Sequence, residues 1–77
     1  MNIEEKLSEI FSVVFDLADN EDPREFRRMT ERRWDSLAHA SIIAAIESEY
    51  SLQLEVKDWE RISSFESACI LVEEKMG

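Results

Sequence analysis

The sequence contains very few of the residues that build tight turns, disulfide bonds and metal sites. Its 77 residues include one glycine, one proline, one cysteine and one histidine. A Gly-rich phosphate-binding loop is excluded, because such loops need several glycines whose backbone N–H groups converge on the anion. Cys69 has no second cysteine with which to form an internal disulfide. With His39 as the one histidine, we expect no metal site built from protein ligands alone.

Long apolar runs are missing as well. No stretch of eighteen apolar residues occurs, so the sequence predicts no membrane-spanning helix. Met1 is followed by Asn2, Ile3 and two glutamates, rather than by a basic and then an apolar segment, so no secretory signal is predicted. An unpaired cysteine fits a reducing compartment. These features together favour a cytoplasmic protein.

Basic charge is scarce relative to acidic charge. The chain has 18 Asp and Glu against 9 Lys and Arg, which gives a formal net charge of −9. This balance disfavours nucleic acid as a partner, because nonspecific binding depends on neutralising phosphates with cationic side chains. It favours partner proteins with basic surfaces, whose encounter with an acidic protein is fast and sensitive to salt.

Apolar residues spaced three and four apart predict an all-α fold in a single domain, residues 1–77. We predict helices at about 2–16, 36–50 and 65–75, with a shorter one at 57–62. Together they form a small four-helix bundle with a long loop between helices I and II. The residues predicted to face the core are Ile3, Leu7, Ile10, Phe11, Val14, Phe15, Phe26, Met29, Ile42, Ile43, Ile46, Tyr50, Trp59, Ile62, Phe65, Ala68, Cys69, Val72 and Met76, with Leu52, Leu54 or Val56 tucked in from an extended connection.

The eighteen-residue connection between the first two helices contains the basic charge that stands out. Five arginines, Arg24, Arg27, Arg28, Arg32 and Arg33, lie within ten residues of each other. In one interpretation they are solvated and balance nearby Asp and Glu residues. In the other they form a docking surface beside the segment that follows, because long connections in small domains are often functional.

That segment is Trp34-Asp35-Ser36-Leu37. Asp35 is a good N-cap residue, which places Ser36 on the first turn of helix II with its hydroxyl near the positive end of the helix dipole. A phosphate attached to that hydroxyl would lie where backbone N–H groups favour an anion. The alternative is an ordinary capped helix start. Helix II also has a weakly apolar row, which is either a contact surface or simply a solvent-exposed face; it consists of Leu37, Ala40, Ala44 and Glu47. His39 is expected to be exposed.

No set of residues suitable for catalysis is recognisable. One histidine gives little basis for a Ser/His/Asp arrangement. The neighbouring carboxylates Glu47/Glu49 and Glu73/Glu74 are two and one residues apart, so they do not share a helix face. We therefore expect a protein that is not an enzyme and that presents one hydroxyl on an acidic helical scaffold.

Trp34–Leu37, followed by Ile42–Tyr50, resembles the acyl carrier protein family. The order of helices and the Ile62-Ser63-Ser64-Phe65 start of the last helix agree over nearly the whole chain. The resemblance implies a monomeric carrier whose Ser36 receives 4′-phosphopantetheine from coenzyme A by the action of a phosphopantetheinyl transferase. The thiol of that arm then holds an acyl group as a thioester. It also implies that Asp35 caps the helix and contacts the transferase, that Leu37 contacts partners, and that Ala40, Ala44 and Glu47 face the enzymes that load and accept acyl groups.

The chain departs from the family's fatty-acid carriers in helix II. Those carriers commonly have acidic residues just after the motif, where this chain has Ala38, His39 and Ser41. The arginines of the connection are also atypical. These departures favour a dedicated, free-standing carrier in a specialised lipid, polyketide or surface-polysaccharide pathway. The alternatives are an aminoacyl or peptidyl carrier with the same attachment chemistry, and a helical interaction module that is never modified.

Overall fold

The computed structural model describes residues 2–77. These residues form four α-helices, α1 (Ile3–Phe15), α2 (Ser36–Tyr50), α3 (Val56–Arg61) and α4 (Phe65–Met76), with a 3-10 turn at Pro23–Glu25 between α1 and α2. The predicted all-α bundle of three longer helices and one short helix is confirmed, with each boundary within one residue of its prediction. Over residues 2–77, no helix combines the length and apolar character needed to cross a membrane.

Side-chain caps and left-handed residues set the helix ends. The Asn2 side chain accepts hydrogen bonds from the first turn of α1, and Ser64 caps α4 by accepting from the backbone N–H of Ser67. Asp16 follows the last residue of α1 with φ 50°, and Ser51 follows the last residue of α2 with φ 55°. Glycine usually takes this left-handed position, because other residues are strained there. In a chain with one glycine, Asp16 and Ser51 perform this function.

The core lies where α1 packs against α2 and α4. One end of it is aromatic: neighbouring rings lie 5.2 to 5.8 Å apart between centroids. Two of these rings come from the α1–α2 connection, which is therefore part of the core rather than a loop outside it. The members of this aromatic cluster are Phe11, Phe15, Phe26, Trp34 and Phe65.

Several residues predicted to face the core are on the surface instead. Met29 is 95% exposed, because the 3-10 turn stops at Glu25, Arg27 forms an isolated antiparallel bridge with Ser64, and Met29 lies in the turn that follows. Helical spacing therefore does not apply to Met29. Trp59 is 39% exposed. Its neighbour in the short α3, Asp58, takes the buried position instead.

The inner face of α4 also differs from its prediction. Leu71 is fully buried and was not among the predicted core residues, whereas Met76 is 48% exposed at the end of the helix. Cys69 is half-buried at the margin of the core. Leu54 of the α2–α3 connection is buried, while Val56, the first residue of α3, is exposed.

Asp58 joins α3 to α4 through a buried carboxylate. It accepts a hydrogen bond from the Glu55 backbone N–H at 3.0 Å and lies 3.2 Å from the Lys75 ammonium. The hydrogen bond, followed by the ammonium, lowers the pKa of Asp58 below its ordinary value, although burial opposes the shift. The carboxylate therefore stabilises the fold above the ordinary aspartate pKa of 3.8, and this stabilisation is lost as the pH falls through the lowered value.

We accordingly expect Asp58→Asn to have a lower melting temperature than the parent protein at neutral pH. The difference should narrow as the pH falls below about 4 towards the lowered pKa, because the parent side chain then becomes neutral, first in the unfolded and then in the folded protein. Thermal unfolding followed by circular dichroism from neutral pH to about pH 3 measures this. Asp19→Asn, at an exposed position of the connection, is the control; a difference for Asp58→Asn that does not depend on pH would contradict the expectation.

Candidate functional site

Ser36 is the first residue of α2 and its side chain is exposed. The preceding Asp35 is the N-cap: its Oδ1 accepts a hydrogen bond from the Ala38 backbone N–H at 2.9 Å. The Asp35 carbonyl accepts the first intrahelical bond, from the His39 N–H, also at 2.9 Å. The structure thus places Ser36 as an exposed residue at a capped helix start, as the sequence predicts.

The backbone around Ser36 suits a phosphate group. The first four N–H groups of a helix have no partner within the helix. Asp35 takes the one from Ala38, so the N–H groups of Ser36 and Leu37 have no hydrogen-bond partner within residues 2–77. Together with the positive end of the dipole of a 15-residue helix, they favour an anion at the Ser36 side chain. A phosphodiester on Ser36 therefore fits the residues present.

The expectation that His39 is exposed is wrong. His39 is buried on the first turn of α2, where its Nδ1 accepts a hydrogen bond from the Trp34 indole N–H at 2.9 Å. An indole N–H can only donate, so Nδ1 carries no proton and Nε2 does. Nε2 therefore donates to the Trp59 carbonyl, also at 2.9 Å. The physical reason for the error is that Trp34, just before the cap, supplies a polar partner that a helical periodicity cannot show.

The row predicted to face partners is mostly exposed. Leu37 is 77% exposed, and Ala40 and Ala44 are also on the surface. Glu47 differs, because it is half-buried and its Oε2 accepts a hydrogen bond from the Leu54 backbone N–H at 2.9 Å. A substitution at Glu47 would therefore disturb the α2–α3 connection as well as the surface.

The arginines of the connection divide into two groups. Arg24 pairs with Asp22 and Glu4, and Arg33 with Glu21 and Glu31, at distances of 2.7 to 3.5 Å. For these two arginines, balancing nearby carboxylates is the correct interpretation. Arg27, Arg28 and Arg32 are exposed and form no ion pair within the described part of the chain.

Cys69 is not arranged as a reactive thiol. It is half-buried on α4, and burial raises the pKa of its thiol to about 11. The nucleophilic thiolate form is therefore negligible at neutral pH. Its side chain instead packs against the margin of the hydrophobic core.

Comparison with known proteins identifies one solved structure of the same fold. The solution NMR structure of holo acyl carrier protein from Geobacter metallireducens superimposes with a TM-score of 0.80 and 26% sequence identity, covering 99% of this chain and 87% of that one. Neither a scan against protein-family models nor a search of curated proteins gave a match. The resemblance expected from the sequence is thus confirmed by structure, and the chain is acyl carrier protein-like over its described length.

Proposed function

We propose that this chain is a carrier protein whose Ser36 bears 4′-phosphopantetheine. The observation that carries the proposal is an exposed serine hydroxyl at the capped start of α2, in a chain that matches a holo acyl carrier protein over 99% of its length. The free N–H groups of Ser36 and Leu37 add a reason for a phosphodiester to be tolerated there.

The attachment reaction needs only the hydroxyl from this chain. The Ser36 oxygen attacks the phosphorus of coenzyme A that bears the pantetheine, and a new P–O bond forms. The bond from that phosphorus to the other phosphate breaks, adenosine 3′,5′-bisphosphate leaves, and a base of the transferase takes the serine proton. Once attached, the arm supplies a thiol that holds an acyl group as a thioester, so the chain itself has no catalytic step to perform.

The proposed partners are the phosphopantetheinyl transferase and the enzymes that load and accept acyl groups. The formal charge of −9 favours brief encounters with basic surfaces, because such attraction speeds association and weakens with salt. Arg27, Arg28 and Arg32, which no carboxylate of the described chain neutralises, add a second, basic surface. Since Ala38 and Ser41 replace the acidic residues common in fatty-acid carriers, a specialised lipid, polyketide or surface-polysaccharide pathway is favoured.

An aminoacyl or peptidyl carrier is the second candidate, because it uses the same attachment at Ser36. The two differ in the enzyme that loads the arm: an acyl transferase loads an acyl carrier, and an adenylating enzyme loads an aminoacyl carrier. Incubating the arm-bearing protein with each kind of enzyme distinguishes them by intact mass.

Intact mass also tests the shared proposal. The protein is incubated with coenzyme A and a phosphopantetheinyl transferase of broad specificity, and one arm per chain is expected. A chain that stays unmodified while a known carrier is converted in the same tube would instead be an unmodified helical interaction module.

Leu37 offers a test of the proposed partner surface. We expect Leu37→Ala to lower kcat/KM for arm transfer about tenfold, the effect of losing a modest hot-spot contact. The melting temperature should stay within about 2 °C, because a residue 77% exposed adds little to the core. Val13→Ala is the matched control, since Val13 is 82% exposed on α1. Equal kcat/KM values for both variants would show that Leu37 is not part of the proposed partner-binding surface.

A further inference from the structure

The seam between α2 and α3 beside Ser36 is closed by the side chain of His39. Its two ring nitrogens bond the Trp34 indole N–H and the Trp59 carbonyl, each at 2.9 Å. These bonds connect three segments: the residue before the cap, the first turn of α2 and the body of α3. The interior nearest Ser36 is therefore filled by the Trp34 and His39 side chains and held together by hydrogen bonds.

Behind this seam lies the aromatic cluster. Trp34 is buried, and its ring centroid lies 5.3 Å from that of Phe11 in an edge-on arrangement and 5.6 Å from that of Phe15. Phe11 in turn meets Phe65 of α4 at 5.2 Å, also edge-on. A guest entering beside Ser36 would have to displace a bulky indole that contacts two rings and one histidine.

Opening the seam would also leave polar groups without partners. Within residues 2–77 no buried side-chain nitrogen or oxygen lacks a hydrogen-bond partner. Separating α3 from α2 would break the bond between His39 Nε2 and the Trp59 carbonyl. Displacing Trp34 would in addition leave its indole N–H and His39 Nδ1 without partners in an apolar interior. Unpaired buried polar groups are costly, and an alkyl chain has no hydrogen-bonding atoms to replace the lost partners.

Four surface cavities of the described chain lie away from this seam. The largest, about 670 Å³, is lined by the connection and the start of α4, with Arg27 and Ser64 among its residues. A smaller one of about 230 Å³ lies between α1 and the later part of α2, at Val13 and Ala45. None of these four is lined by a residue of α3 or by His39.

We propose that the cargo of this carrier is a short or polar acyl group that stays outside the helical bundle, because Trp34 and His39 fill the interior beside the anchor. The inference rests on the arm proposed for Ser36. A long alkyl chain gains free energy by leaving water, so a carrier of such chains needs an interior that opens readily. Here the interior is filled by aromatic rings and held by hydrogen bonds, and a short or polar group has little to gain from entering it.

A chain-length series tests this directly. The transferase is supplied with acetyl-, butyryl-, octanoyl- or dodecanoyl-coenzyme A, so that each arm arrives at Ser36 with its acyl group attached, and loading is verified by intact mass. The melting temperature is expected to vary by less than about 2 °C across the series, whereas burying an octanoyl chain would raise it by more than about 10 °C. A melting temperature that rises progressively with acyl chain length would overturn the proposal. This holds wherever on the protein the acyl chain binds.

The Trp34 indole N–H gives a second readout in a ¹H–¹⁵N spectrum. Its resonance reports the hydrogen bond to His39, so it is expected at one position for all four acyl groups. A displacement that grows with chain length would show that the chain enters the seam and would contradict the proposal.

His39→Ala tests whether the His39 side chain is what keeps a long acyl chain out of the interior. Removing the imidazole leaves space in the seam, so the octanoyl form of the variant should melt higher than its own unloaded form. An unchanged value would show that His39 is not what excludes the chain. If His39→Ala does not fold, Trp34→Phe, which loses the indole N–H, replaces it.

The carrier function and the cargo class are tested by different results. A protein that accepts no arm overturns the carrier function. A protein that accepts the arm but is stabilised by long acyl groups overturns only the cargo class.

Discussion

Replacing Ser36 by alanine is expected to abolish arm attachment completely. The variant should keep its parent mass after incubation with coenzyme A and the transferase, under conditions that convert the parent chain. The reason is that, in the proposed function, the Oγ of Ser36 forms the new bond to phosphorus. The fold should be retained, since the side chain is exposed and takes part in no hydrogen bond within residues 2–77.

Ser41→Ala is the matched control for this result. Ser41 is also exposed and lies five residues further along α2, so it tests whether any surface serine of the helix is accepted. Full conversion of Ser41→Ala together with no conversion of Ser36→Ala is expected. Conversion of Ser36→Ala would show that the arm is attached elsewhere.

Phe11→Ala is expected to have the largest effect on stability. Phe11 is fully buried, and its ring packs against those of Phe15, Trp34 and Phe65. Truncating a buried Phe to Ala costs about 3–5 kcal/mol, a large share of the roughly 5–15 kcal/mol that holds a domain folded. The melting temperature should fall by roughly 10–40 °C, as measured by circular dichroism.

Val13→Ala on the same helix provides the comparison. Val13 is 82% exposed, and substitutions at such positions usually change stability by no more than about 0.5 kcal/mol. Similar losses for the two variants would mean that packing within the aromatic cluster contributes little to the stability of the fold.

Helix positions could be predicted from the sequence because α1 and α2 have regular apolar spacing and clear caps. Ile42, Ile46 and Tyr50 lie one turn apart, and each is buried as expected. The Asp35 cap could be predicted for the same reason, since an N-cap is a local property of a few consecutive residues. The start of α2, and with it the place of Ser36, follows from such local rules.

Residues outside regular helices could not be placed in the same way. Met29 and Trp59 were predicted to face the core because each lies three residues from a buried side chain, Phe26 and Ile62. That spacing has meaning only inside a continuous helix. The chain leaves helical geometry after Glu25, and the six residues of α3 make fewer than two turns.

The contact between Trp34, His39 and Trp59 was missed for a different reason. Its partners are separated by 5 and 20 residues, and the bond to Trp59 uses a backbone carbonyl, which leaves no trace in the side-chain pattern. The one available signal was a tryptophan just before an N-cap, with a histidine one turn into the helix. That pairing places an indole donor beside an imidazole acceptor.

Tandem mass spectrometry of the modified protein tests the carrier function most directly. After incubation with coenzyme A and the transferase, the chain is digested and the peptide bearing the arm is fragmented. A single modified residue is expected, Ser36, identified by fragment ions that bracket it between Asp35 and Leu37. An arm found on another residue, or no modified peptide while a known carrier is converted in the same reaction, would contradict it.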